Sequence, residues 1–205
     1  MNRIFYLIGK SSTGKDTILS ALLHDPALGL SEIVQYTTRP IRDGEEEGRE
    51  YHFITMEESL RLRDQGKVVE ERVYQTVHGP WKYMFVDDGQ LECGTGDFIA
   101  VGTVESYVKV RDYFGDGVVV PIYIYVETGE RLQRALNRER IHDNPKYAEM
   151  CRRFLADEQD FSDEKLRAAG LIDDGGQYRN GFENVTLFDT IQSVRAFVLR
   201  CQEKT

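Results

Sequence analysis

The chain has 205 residues, 40% apolar and 30% charged, and its 35 acidic residues against 26 Lys and Arg leave a formal charge of −9. That balance fits a globular domain with an acidic surface and excludes a nucleic-acid polymer as partner, because phosphate backbones are held mainly by basic surface. No stretch reaches membrane-spanning length, a first strand starting at once leaves no room for a signal peptide, and the odd, widely spaced Cys93, Cys151 and Cys201 suggest neither disulfides nor a zinc site. A cytoplasmic protein without membrane contact is expected.

The first informative stretch is 4–23. Ile4–Ile8 reads as a buried strand, residues 16–23 as a helix with Ile18, Leu19, Leu22 and Leu23 on one face, and between them Gly9-Lys10-Ser11-Ser12-Thr13-Gly14-Lys15 fits G-x-x-x-x-G-K. Glycines at both ends allow backbone angles that aim successive N–H groups at one anion, and the helix start adds its dipole. Lys15 supplies a mobile positive charge. The next position, where a hydroxyl normally faces Mg²⁺, is Asp16, and a hydroxyl follows at Thr17.

Beyond the breakers Asp25-Pro26 and Gly29, residues 32–38 read as a short strand that enters a charged loop containing Arg39, Arg42, Asp43, Gly44, Glu45, Gly48 and Tyr51. Two arginines three apart make a candidate clamp for a phosphate, with the Tyr51 phenol as a further donor. Thr55-Met56-Glu57-Glu58 is a capping box opening a helix that runs to about Gln65, and Val68–Glu70 reads as a strand. Residues 97–103 and 118–126 are apolar runs, each followed by a helical segment, which predicts a parallel sheet. Arginines recur at helical spacing over 130–140, Asp143-Asn144-Pro145 breaks the chain, and a second helix is expected from Tyr147. Residues 161–181 read as an exposed polar connection, 182–187 as a last strand and 190–201 as a closing helix.

The phosphate loop, followed by Tyr36-Thr37-Thr38-Arg39, then Arg42, Gly44-Glu45, Gly48 and Tyr51-His52-Phe53, resembles guanylate kinase, over nearly the whole length but most specifically in its first third. The resemblance implies a P-loop NTPase-type three-layer α/β fold with a central parallel sheet. The core would be about 1–32, 90–136 and 162–205, an inserted monophosphate-binding lobe about 33–89 and a lid about 137–161. It implies transfer of the γ-phosphoryl group of ATP, with Mg²⁺, to GMP. ATP would meet residues Gly9 to Thr17 and, near adenine, Asn184, although an ordinary turn role for Asn184 stays open. Lys15 and the lid arginine Arg153, together with Arg138 or Arg140, would neutralise the transferred group.

On the acceptor side the resemblance implies Gln35, Arg39, Arg42, Tyr51, Glu70, Tyr83 and Thr103. Glu70 would accept from guanine N1–H and the 2-amino group, and Tyr83 stands near the place of a family tyrosine in His78-Gly79-Pro80-Trp81-Lys82-Tyr83. The largest departure is at the end of strand 97–103, where two family aspartates align with Val101 and Thr103. Glu105 and Asp16 are the candidate replacements, Asp16 for the metal. The lost acids keep open a kinase for another phosphorylated acceptor, such as a different nucleoside monophosphate or a sugar bisphosphate. A non-catalytic module binding phosphorylated protein segments is the other alternative, disfavoured by Lys15 and the intact glycine frame.

Overall fold

The computed structural model describes residues 2–42, 44–76, 79–93 and 96–203. Asp43 of the charged loop and His78 lie outside the described residues. The elements run β1 (Ile4–Ile8), α1 (Lys15–Leu23), β2 (Ser31–Glu32), β3 (Tyr36–Thr37), β4 (His52–Phe53), α2 (Met56–Asp64), β5 (Val68–Thr76) and β6 (Gly79–Val86). There follow α3 (Gln90–Cys93), β7 (Phe98–Gly102), α4 (Val104–Phe114), β8 (Val119–Tyr125), α5 (Thr128–Arg140), α6 (Tyr147–Asp160), α7 (Asp163–Ala168), β9 (Gly181–Glu183) and α8 (Leu187–Gln202).

β1 organises the molecule. It is the middle strand of a sheet in the order β2-β7-β1-β8-β9, parallel throughout, and all of its side chains are buried. Because strand side chains alternate, Ile4, Tyr6 and Ile8 enter one core with Val104, Tyr107 and Val110 of α4, while Phe5 and Leu7 enter another with Ile18 and Leu22 of α1 and Val194 and Val198 of α8. Helices thus cover both faces of the sheet, giving the expected three layers.

A second sheet, in the order β4-β3-β6-β5, is built on the long β5–β6 hairpin. The expected strand 32–38 divides between the two sheets. β2 ends on the edge of the central sheet and β3 starts in the second one, because the chain crosses over at Val34 and Gln35. The expected strand at Val68–Glu70 continues to Thr76, its register shifted by a bulge between Val68 and Glu70. Thr55 caps α2 with the full reciprocal capping box.

The segment 161–181 is not merely an exposed connection. Phe161, Leu166, Ala169, Leu171 and Ile172 are buried in the β1–α4 core, and α7 forms within the stretch. The closing helix starts earlier than expected, since Thr186 accepts from the Asp189 N–H as its cap, and the last strand ends at Glu183.

Candidate active site

The phosphate loop leaves β1 at its C-terminal end, where open parallel sheets place ligands. The loop is packed too tightly for a side chain at Gly9, where a Cβ would lie 2.3 Å from the Ile124 carbonyl oxygen. Gly14, with φ 87°, turns the chain into α1 as its N-cap. The Thr13 hydroxyl donates to the Lys10 carbonyl at 2.9 Å, and Asn184 Nδ2 donates to the Thr13 carbonyl at 2.8 Å. Asn184 is buried, and its Oδ1 accepts from Thr190. Its side chain is therefore a brace beneath the loop.

Lys15 Nζ donates to the Lys10 carbonyl at 2.9 Å and closes across the loop. Burial pushes its ammonium below the usual lysine range, with Asp16 and Asp157 opposing the shift. Asp16 and Thr17 point into the same space as Lys15. A cavity of about 400 Å³ there is bordered by the loop from Ser11, by Asp16 and Thr17, and by Arg134, Arg138 and Arg153. A second cavity, of about 410 Å³, lies between α5 and α6 and shares Ser11, Ser12, Arg138 and Arg153 with the first. Of the two candidate lid arginines, Arg138 borders both cavities and Arg140 borders neither. Arg153 is 58% exposed and ion-paired to Glu149, whose carboxyl is held at about 2 by its bonds to Arg152 and Arg153 against a small burial effect.

α6 also reaches the loop directly, which sequence reasoning missed. The Asp157 carboxylate accepts from the Ser11 backbone N–H at 2.8 Å, and Glu158 pairs with Lys10 at 2.8 Å. Between them Arg131, 1% exposed, is 3.2 Å from Asp157, pairs with Glu158, and lies 3.8 Å from the centre of the Phe154 ring. Burial opposes the ionisation of Glu158, yet Lys10 and Arg131 hold its carboxyl below the usual range. The only sequence signal was two acids one helical turn beyond Arg153.

On the acceptor side, Gln35 ties the second sheet to the central one, its Nε2 donating to the Val101 carbonyl at 2.6 Å. That carbonyl is at the C-terminal end of β7 beside β1, where Val101 stands opposite Leu7. Arg39 is buried and makes two parallel bonds of 2.9 Å to Glu45, so its fork is already filled by a carboxylate. Arg42 is exposed and makes no side-chain hydrogen bond among the described residues, while its backbone N–H donates to Glu45. The Tyr51 ring lies 5.6 Å from the Arg39 guanidinium and 5.6 Å from Tyr83, which also meets Tyr74 at 5.5 Å.

Glu70, the candidate base reader, is enclosed by the fold. Its side chain is 0% exposed, Oε1 lies 3.0 Å from Arg72 Nε, and Oε2 accepts from Ser106 Oγ at 3.0 Å. The Arg72 contact is an off-line charge pair rather than a straight hydrogen bond. Burial raises the Glu70 carboxyl above the usual range, with Arg72 and Ser106 opposing. The Thr103 hydroxyl accepts from the Ser106 N–H as the N-cap of α4, and Glu105, 68% exposed, pairs with Lys109 at 2.9 Å. Neither replaces the missing strand-end acids. Asp16 borders the cavity at the loop and makes no side-chain hydrogen bond or ion pair among the described residues, and a carboxylate with a neighbouring hydroxyl suits a hard cation held mostly by phosphate oxygens.

A three-layer parallel fold with this loop, an arginine-bearing helix pair above it and a second sheet at the strand ends defines a P-loop NTPase-type fold. A family model described as guanylate kinase matches residues 1–79. The guanylate kinase of Ralstonia nicotianae is 43% identical over 157 residues, covering 75% of this chain and 66% of that protein. That of Brucella melitensis is 34% identical over 133 residues, covering 62% and 57%. That of Cupriavidus metallidurans is 43% identical over 77 residues, covering 37% and 33%. The crystal structure of guanylate kinase from Anaplasma phagocytophilum superposes with a TM-score of 0.64 at 19% identity, over 97% of this chain and 85% of that one, a likeness of fold. The chain belongs to the guanylate kinase family. It spans between a third and two thirds of the length of these curated relatives.

Proposed function

We propose that the protein is a guanylate kinase, transferring the γ-phosphoryl group of ATP to GMP to give ADP and GDP. The observation that carries this reading is the convergence of Lys15, Arg138 and Arg153 on one cavity at the mouth of the phosphate loop. Phosphoryl transfer asks for positioned positive charge rather than a nucleophilic side chain. In this reading the loop amides and Lys15 hold the β and γ phosphates. Arg138 and Arg153 close over the transferred group from a lid of about 137–161. Asp16, with Thr17 beside it, would hold the Mg²⁺ that comes with ATP, which would supply positive charge against the phosphates.

The acceptor lobe, about 33–89, would take the GMP phosphate on Arg42 and Tyr51, with Arg39 locked behind them by Glu45. The remaining core, about 1–32, 90–136 and 162–205, carries the loop. No helix among the described residues is long and apolar enough to cross a membrane, and the reading includes a cytoplasmic setting with small nucleotides as the partners. The test is steady-state turnover with ATP and Mg²⁺ across GMP, AMP, UMP and ribose 1,5-bisphosphate. Preferential use of GMP is expected. Efficient use of the sugar phosphate without GMP turnover would replace this reading by another acceptor class.

A further inference from the structure

Two costs meet at one residue of the phosphate loop. Ser12 has φ 65°, in the left-handed region that residues with a Cβ rarely adopt, and among the described residues Asn180 is the one other non-glycine there. The Ser12 Oγ is also buried without a hydrogen-bond partner among the described residues, an uncommon state for a polar atom in a folded protein. The neighbouring peptides hold this conformation from four sides. The Ser11 N–H donates to Asp157 at 2.8 Å and the Ser11 carbonyl accepts from Arg131 at 3.4 Å. On the other side the Thr13 hydroxyl donates to the Lys10 carbonyl, and the Thr13 carbonyl accepts from Asn184. A strained residue persists only where its surroundings over-determine it, and such positions cluster where ligands bind.

Ser12 borders both cavities described above, and the other residues common to the two are Ser11, Arg138 and Arg153. Thr13 spends its hydroxyl on the Lys10 carbonyl, whereas the Ser12 hydroxyl meets no acceptor of the protein. A phosphate oxygen would satisfy it. The oxygen belongs to the outermost phosphate, because Ser12 shares its cavities with the two arginines placed to meet the transferred group. We propose that the Ser12 hydroxyl donates a hydrogen bond to the γ-phosphate of ATP, adding a side-chain donor to the loop amides and Lys15. This deepens the guanylate kinase reading above and rests on it for the identity of the nucleotide. ADP has no γ-phosphate, so the bond separates the two nucleotides.

Titration calorimetry of ATP and ADP against the native protein, Ser12→Gly and Ser12→Ala tests it. Both variants should bind ATP roughly tenfold more weakly, the scale of one hydrogen bond to a charged group, and should bind ADP within about twofold of the native protein. Ser12→Gly should also raise Tm by roughly 2–4 °C, because glycine adopts these backbone angles without strain. A loss of ATP affinity in that variant therefore does not come from a damaged fold. Ser12→Gly binding ATP as tightly as the native protein, or losing ATP and ADP affinity alike, would overturn the assignment to the γ-phosphate. The acceptor does not enter these titrations. An ATP-specific loss in a protein that turns over no GMP would keep the hydroxyl assignment and overturn the kinase reading.

Discussion

The Asp157 carboxylate takes its hydrogen bond from the backbone N–H of Ser11, at 2.8 Å, so α6 sets an anion on an amide of the phosphate loop. The carboxylate is bound where successive N–H groups and a helix start favour negative charge. Glu158 on Lys10 and the buried Arg131 between the two acids fasten the contact.

In the guanylate kinase reading, a phosphate that takes the Ser11 N–H displaces this carboxylate. Asp157→Asn keeps the shape and removes the charge, so it should tighten ATP binding roughly tenfold, the scale of one charge-assisted bond. Titration calorimetry with ATP measures it. Unchanged or weaker binding in the variant would mean that the acid does not compete with the phosphates.

Lys15→Met should lower kcat roughly a hundredfold or more, the cost of removing a group that stabilises developing charge. The same change should not lower thermal stability. The folded-state pKa of Lys15 lies below its unfolded value, so its charged form costs stability at neutral pH, and that cost is relieved only as pH rises toward 10.5. A collapse of Tm in the variant would assign Lys15 a structural role instead.

Arg39 and Arg42 should part company. Arg42→Ala removes an exposed side chain and is expected to weaken GMP binding with stability nearly unchanged. Arg39→Ala leaves Glu45 with only the Arg42 backbone N–H and is expected to cost roughly 1–3 kcal/mol of stability, less than a fully buried pair because Glu45 is partly exposed. Urea unfolding and GMP titration of both variants distinguish them, and equal loss of stability in the two would contradict the geometry.

Glu149 gives α6 a pH dependence. Its folded-state value of about 2 lies below the ordinary value of 4.5, so its contribution is complete above the unfolded value and is lost as pH falls through about 2. The stability difference between the native protein and Glu149→Gln should therefore be flat above about pH 5 and shrink toward pH 2. The effect is small, because Arg152 and Arg153 are both well exposed to solvent. A difference that grows on acidification would refute the assignment.

The parts of this site that the sequence made legible are local. Strand, glycine-framed loop and helix occupy 4–23, and their pattern needs no distant contact to be recognised. The unread parts rest on partners far apart in the chain. Asn184 braces a carbonyl 171 residues away, and Asp157 reaches an amide 146 residues away, pairings that no local periodicity encodes. The enclosure of Glu70 was illegible because neither the bulge that shifts the β5–β6 register nor the Arg72 pairing is visible in a run of alternating residues. The buried stretch from Phe161 to Ile172 escaped notice because its apolar residues are outnumbered locally by charged ones, and only the β1–α4 core tells which of them turn inward.

The central claim is tested most directly by following the phosphoryl group itself. ATP labelled at its γ-phosphorus, mixed with Mg²⁺, GMP and enzyme in excess over ATP, should give label in the β position of GDP in near-stoichiometric yield within a single turnover. Label recovered only as inorganic phosphate, or left on ATP, would contradict the account.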